Sequence, residues 1–165
     1  MSIFDVLGPV MIGPSSSHTA GAARIGLMGR QILGEEPQAV VLHFYGSLAA
    51  TYQGHMTDTA VIAGLLGMDV DDLRLPRALD LAGERGLEVS IRTQVRSDKN
   101  PNTIEMDLRS ASGARRVVGI SIGGGEIQMA EIDDHRMRLD GKHDALLLFA
   151  DQQTAVAERA ANLLG

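Results

Sequence analysis

The 165-residue sequence contains no cysteine and no tryptophan. Without cysteine the chain cannot form disulfides or thiolate zinc sites, and it offers no cysteine nucleophile. It also cannot supply by itself the cysteine ligands of an iron–sulfur cluster. Any chemistry of this chain must therefore use oxygen and nitrogen groups, or the groups of a partner.

Aromatic residues are 3% of the sequence, and the formal net charge is −6. A chain without basic excess or stacking aromatics is a poor nucleic-acid binder, so we expect no nucleic-acid partner. No apolar run reaches the length of a membrane span, and no basic segment precedes an apolar stretch near Met1. These features predict a cytoplasmic protein with no membrane association and no signal peptide.

Hydrophobic residues are 44% and charged residues 22%, which are values of a folded globular chain. The length predicts one domain, or one domain with a fragment of another. Helical patterns dominate early and strand patterns late, which predicts an α+β fold. The predicted elements are helices over 17–33, 60–66 and 76–85, and strands over 39–44, 87–95, 103–109, 117–122, 127–132 and 137–139. The last four strands have the spacing of an antiparallel meander, whereas 46–54 is ambiguous.

Ser15, Ser16, Ser17, His18 and Thr19 stand at the start of the first predicted helix. Hydroxyls and unpaired N–H groups at a helix N-terminus form an anion site that suits a carboxylate or a phosphate. One serine would suffice as a helix cap. From the residues alone, ligand binding and plain capping are about equally supported.

His55 lies between Gly54 and the start of another predicted helix, which Thr57 or Asp58 could cap. A neutral imidazole there could act as a general base near pH 7, with Asp58 orienting it. A surface-loop histidine without function is the alternative. Tyr45, at the end of a strand, could be a core residue or a hydroxyl donor.

Two further segments carry weaker signals. Asn100-Pro101-Asn102-Thr103 is typical of a turn before a strand, although its polar side chains could line a cleft. Gly123-Gly124-Gly125 indicates a turn or bulge, or a close approach of a ligand to the backbone. The spacing of His43, His135 and His143 fits no metal site formed among them.

Together these segments resemble the beta chain of iron–sulfur-dependent L-serine dehydratase, also called L-serine ammonia-lyase. The resemblance rests on SIFDVLGPVMIGPSSSHTAGAARIG at 2–26, FYGSLAATYQGHMTDTAV at 44–61, NPNT at 100–103 and GISIGGGEI at 119–127. It implies a mixed α/β domain over 1–142, similar to an allosteric substrate-binding domain. It also implies conversion of L-serine to pyruvate and ammonia by β-elimination, as in amino-acid catabolism and gluconeogenesis.

The resemblance implies a division of labour between two chains. A [4Fe–4S] cluster would be held by the cysteines of an alpha chain and act as Lewis acid. This chain would then be active only with that partner, and we expect an oligomeric assembly. In this chain, Ser15, Ser16, Ser17, His18 and Thr19 would form the carboxylate-binding loop. The resemblance implies catalytic roles for His55 and His18, with His55 as the base, and substrate-binding roles for Thr57, Asp58 and Asn102.

Two departures from the family pattern accompany the resemblance. Asn100 stands where many relatives have histidine, and an amide cannot titrate. Residues 143–165 resemble the first strand and helix of an ACT regulatory domain, so an incomplete ACT-like unit is expected there. Whether threonine is also a substrate is left open.

A different class of function fits the same serine-rich segment. The chain could be a non-catalytic regulatory domain that binds a small anion or an amino acid, because a fold does not determine function. His55 distinguishes the two, since a sensor needs no base beside its anion site. A purely structural subunit would not need the Ser-Ser-Ser-His-Thr segment.

Overall fold

A computed structural model of the chain describes residues 9–95 and 98–149. A π-helical turn over Ser16–Ala20 continues directly into α1. The α-helices are α1 (Gly21–Leu33), α2 (Gly46–Thr51), α3 (Thr57–Leu65) and α4 (Ala78–Glu84), the last preceded by a 3-10 turn over Leu75–Arg77. The strands are β1 (Ala39–Tyr45), β2 (Glu88–Gln94), β3 (Thr103–Arg109), β4 (Ala114–Gly123), β5 (Glu126–Ile132) and β6 (His135–Leu139).

The described strands form one sheet in the order β2-β1-β3-β4-β5-β6. β1 and β2 are parallel, whereas β1–β3, β3–β4, β4–β5 and β5–β6 are antiparallel. The prediction of a mixed fold with early helices and a later antiparallel meander is therefore confirmed. The candidate site lies at one end of the strands. This end contains the C-termini of β1, β2 and β4 and the N-termini of β3 and β5.

Helices α1 and α3 pack against each other, and α1 also covers β3, β4 and β5. The strands direct alternate side chains into the core beneath these helices. In β1 and β3 these are Val40, Leu42, Phe44, Ile104, Met106 and Leu108, all at most 1% exposed. The intervening side chains of β1 and β3, among them His43 and Glu105, lie on the opposite face of the sheet.

Two glycines let α1 and α3 approach closely. A Cβ at Gly26 would collide with the backbone carbonyl of Val61, and one at Gly64 would collide with that of Ala23. Only residues without a side chain fit such a contact between helix backbones. This contact fixes the position of the start of α1 relative to the start of α3, where the predicted site residues lie.

The helix boundaries agree with the sequence except at α3. The sequence offers Thr57 or Asp58 as the cap of that helix, but both residues lie inside its first turn. The residue before the helix is Met56, which has a left-handed backbone conformation (φ 55°) and makes no side-chain capping bond. The prediction failed because the turn at 52–56 enters the helix through Met56. The ambiguous stretch from Gly46 forms the short helix α2.

Beyond β6, the described residues Asp140–Phe149 form no regular element, and Leu147 packs against the core. The predicted helix near the C-terminus lies outside the described residues. The division into a domain over 1–142 and an ACT-like unit over 143–165 therefore stays a prediction. Within residues 9–95 and 98–149, helices long and apolar enough to cross a membrane are absent.

Candidate active site

The serine-rich segment forms the N-terminal cap of the first helix. The Oγ of Ser15 accepts a hydrogen bond from the backbone N–H of His18 at 3.1 Å. The backbone carbonyl of Ser15 accepts from both Thr19 (2.9 Å) and Ala20 (3.2 Å), where the π turn begins. One serine therefore caps the helix, as the plain-capping alternative expected. Ser16 and Ser17 are not needed for the cap.

This helix start has the properties of an anion site. The first turn of a helix leaves N–H groups without intrahelical acceptors, here those of Ser16 and Ser17. The helix dipole places partial positive charge at the same end. π-helical turns of this kind are frequent at functional sites. The arrangement suits a carboxylate better than a cation.

Thr19 connects the serine-rich segment to the loop of His55. Its side chain is fully buried, and its Oγ1 donates to the backbone carbonyl of His55 at 2.8 Å. A Cβ at Gly13 (φ 115°) would collide with the Thr19 methyl group, so the preceding chain passes close over this residue. Residues 36 positions apart are thereby held together.

The rings of His18 and His55 lie next to each other, with centroids 4.8 Å apart and planes inclined by 57°. The Nδ1 of His18 is hydrogen-bonded to Ser17 Oγ at 2.9 Å, which orients this ring. Partial burial and the neighbouring His55 lower the pKa of His18 from its usual value of 6.5, which favours a neutral imidazole at pH 7. The structure therefore brings together the two histidines that the sequence singled out.

Two buried polar atoms, one of them in this pair, have no partner within the described residues. They are His55 Nδ1 and Thr57 Oγ1, only two positions apart in the chain. Buried polar groups without hydrogen bonds are rare and mark places where a ligand, water or partner is expected. Asp58 is also buried, but its carboxylate accepts from the backbone N–H and hydroxyl of Thr59 (2.7 and 3.3 Å). Those bonds tie Asp58 to its own helix.

The turn with Asn102 contacts α2 and β4. Ser47 Oγ donates to Asn102 Oδ1 at 3.2 Å, and the backbone N–H of Ser121 donates to the Asn102 carbonyl at 3.1 Å. Asn100 closes the turn itself, because its Oδ1 accepts from the Asn102 N–H at 2.9 Å. A Cβ at Gly21, the first residue of α1, would collide with Ser121 Oγ. Asn102 and the helix start are thus linked through one buried serine.

Ser121 is a site neighbour that the sequence analysis missed. It is 2% exposed, and its Oγ has no partner within the described residues. The signal in the sequence was a small polar residue between apolar neighbours in the strand before Gly123. Gly123, Gly124 and Gly125 all have positive φ; the first ends β4 and the other two form the β4–β5 turn, and a Cβ at Gly125 would touch Pro9. The turn interpretation of that triplet is correct.

Three side chains on the opposite face of the sheet have metal-binding chemistry: His43, Glu105 and Asp107 offer ligand atoms within 4.8 Å of one another. Glu105, however, already accepts from Lys99 Nζ at 2.6 Å and Arg116 Nε at 2.9 Å. The side-chain cations of Lys99 and Arg116, this close to Glu105, would repel a metal cation. The donor set also lacks thiolates, so this chain's residues do not fit an iron–sulfur cluster.

Comparison with known proteins defines the class to which this fold and site belong. The family model described as "Serine dehydratase beta chain" matches residues 2–132, and the chain belongs to that family. It is 44% identical over 163 residues to the probable L-serine dehydratase beta chain of Bacillus subtilis, covering 99% of this chain and 74% of that protein. It is 34% identical to the L-serine dehydratase beta chain of Peptoniphilus asaccharolyticus, with the same coverage.

A third relative has a different chain organisation. L-serine dehydratase 2 of Escherichia coli is 40% identical over an alignment of 84 positions, which covers 44% of this chain but only 18% of that protein. The matching segment is therefore a small part of a much longer polypeptide. The family resemblance expected from the sequence motifs is confirmed.

Proposed function

We propose that this chain is the beta subunit of an L-serine ammonia-lyase, which converts L-serine to pyruvate and ammonia, and that an alpha chain holds a [4Fe–4S] cluster. The observation that carries the proposal is the His18–His55 pair, 4.8 Å apart beside a serine-rich helix start. An anion site next to two imidazoles suits a substrate that has both a carboxylate and a removable proton. The cytoplasmic location and the oligomeric assembly stay predictions.

Three observations support a second chain. This sequence contains no cysteine, so cluster ligands must come from elsewhere. Two relatives of high coverage are named as beta chains. In the longer Escherichia coli relative, the matching segment is 18% of the polypeptide, which leaves room for a fused partner domain.

In our proposal the substrate carboxylate binds at the start of the first helix. The N–H groups of Ser16 and Ser17 and the hydroxyls of the segment Ser15–Thr19 would donate to its oxygens. Partial positive charge at the helix end also stabilises negative charge that develops at Cα when the proton leaves. Thr57 and Asn102 complete the polar lining around the amino acid.

His55 would remove the Cα proton. The electrons of the Cα–H bond then form the Cα–Cβ double bond, the Cβ–O bond breaks, and hydroxide leaves. The aminoacrylate product tautomerises to an imine, and water hydrolyses this to pyruvate and ammonia. Burial and the neighbouring His55 lower the pKa of His18, which favours a neutral ring that adds no positive charge next to the proposed base. Asp58 would help to hold the start of α3 in place and would not act directly on the His55 ring.

A regulatory domain that binds a small anion or an amino acid is the second candidate. The capped helix start serves that role equally well. The close approach of His55 to His18 and the unpartnered Nδ1 favour catalysis, because an anion sensor has no use for a base at that position.

The test is reconstitution with a cysteine-bearing alpha chain under anaerobic conditions. We expect neither chain alone to form pyruvate from L-serine, and the isolated beta chain to lack iron–sulfur absorbance. The mixture should form pyruvate and ammonia in equal amounts. Pyruvate formation by this chain alone would contradict the division of labour, and an inactive mixture that binds serine would favour the regulatory role.

A further inference from the structure

We propose that Lys99, Glu105 and Tyr45 form a clamp that positions the Asn102 side of the site. The clamp lies on the face of the sheet opposite α1 and α3, so it is separate from the histidine pair. The three residues would act through the turn over 100–102 and would not touch the substrate. That they influence serine binding rests on the function proposed above.

Glu105 is the centre of the clamp. Its side chain is only 8% exposed, yet it carries a charge. It accepts from Lys99 Nζ at 2.6 Å, Arg116 Nε at 2.9 Å and Tyr45 Oη at 3.0 Å. Burial raises the pKa of Glu105, but these hydrogen bonds outweigh it and lower the pKa to about 2. The carboxylate is therefore ionised and held from three directions.

Lys99 and Tyr45 extend the clamp to two chain segments. Lys99 immediately precedes the turn, and its Nζ also lies 4.3 Å from the centroid of the Tyr45 ring. Tyr45 ends β1 directly before Gly46, where α2 begins. The start of the turn and the start of α2 are thus attached to one buried carboxylate of β3.

The two segments also contact each other at the site edge. Gly46 has φ of 54°, and a Cβ there would lie 2.7 Å from Pro101 Cα. The Pro101 carbonyl accepts from the Leu48 N–H at 3.2 Å. The Asn102 carbonyl accepts from the Ser121 N–H at 3.1 Å. Loosening of the turn would therefore weaken these two backbone hydrogen bonds and displace Asn102.

The informative variant is Lys99→Met. It removes the cation but retains an unbranched side chain over the tyrosine ring, and it leaves Glu105 paired with Arg116. The buried Glu105 carboxylate therefore keeps a cation beside it, so the fold should persist. The matched control is Arg109→Met, which breaks an exposed ion pair with Glu88 (3.3 Å) at the other end of β3.

Amide hydrogen exchange tests the clamp without any assumption about function. In Lys99→Met we expect protection of the Leu48 and Ser121 amides to fall about tenfold, with the β3–β4 ladder unchanged. Arg109→Met should leave all these amides unchanged, and Lys99→Arg should restore protection. Equal protection in Lys99→Met and the control, or a uniform loss over the whole sheet, would overturn the proposal.

Kinetics of the reconstituted pair test the link to the site. We expect Lys99→Met to raise KM for L-serine about tenfold with kcat changed less than about twofold, and Lys99→Arg to recover KM. An unchanged KM despite lost amide protection would overturn the positioning role. If the wild-type pair does not turn over serine, the proposed function fails, and the exchange experiment still decides whether the clamp exists.

Discussion

The hydroxyl of Thr19 donates a 2.8 Å hydrogen bond to the backbone carbonyl of His55, and this bond joins the two loops of the candidate active site. The same hydroxyl accepts from the Ser15 N–H at 3.3 Å. One buried side chain therefore holds both the anion-binding turn and the residue proposed as the base. We expect the spacing between the histidine rings to depend on this connection.

Thr19→Val should weaken this connection while keeping the shape of the side chain. It leaves the His55 carbonyl without its donor, which costs about 1–3 kcal/mol for a buried group. We expect a comparable loss in the free energy of unfolding, measured with urea, and a fall in kcat of about tenfold or more in the reconstituted pair. Thr93→Val, at an exposed strand position, is the control. Equal effects of the two substitutions would contradict the role of Thr19.

Gly64→Ala tests the close contact between α1 and α3. The new methyl group would collide with the Ala23 carbonyl, so the helices must separate. Overpacking of this kind costs about 1–3 kcal/mol, which urea unfolding should detect. Gly83→Ala is the matched control, since a Cβ there meets nothing within 4 Å and it lies in α4. We expect this control to stabilise the protein by about 0.5–1 kcal/mol. A neutral effect of Gly64→Ala would refute the tight contact.

The lowered pKa of His18 gives the stability a defined dependence on pH. Below the usual value of 6.5 the unfolded chain binds a proton that the folded chain resists, so stability falls as the pH falls through this region. His18→Asn should flatten this part of the curve of unfolding free energy against pH. His135→Asn, at an exposed position, should leave it unchanged. The interpretation fails if His18→Asn keeps the wild-type slope.

The sequence was sufficient to predict the sheet-forming segments and the first helix. Strict alternation at Ile104, Met106 and Leu108 indicated β3 because its apolar side chains fill one face only. Gly34 (φ 85°) ends α1 at the predicted place. The prediction of a cap at Thr57 failed because a left-handed Met56 has no sequence signature.

The candidate site could be predicted only in part. The serine-rich segment and His55 were recognisable because each combines chemistry-bearing residues with a helix start. Their proximity was expected only from the family resemblance, since in the fold it depends on Gly26 and Gly64 letting two helix backbones meet. The clamp could not be predicted from the sequence either. Glu105 alternates with apolar residues, and this pattern is typical of a strand residue that faces solvent.

The most direct test of His55 as the base is the effect of His55→Ala on the alpha–beta pair. Serine binding and pyruvate formation are measured in parallel. His135→Ala, at an exposed position, is the control. We predict that His55→Ala abolishes pyruvate formation and changes the Kd for L-serine only slightly, while the control retains full activity. Pyruvate formation by His55→Ala at the wild-type rate would show that this imidazole is not the base.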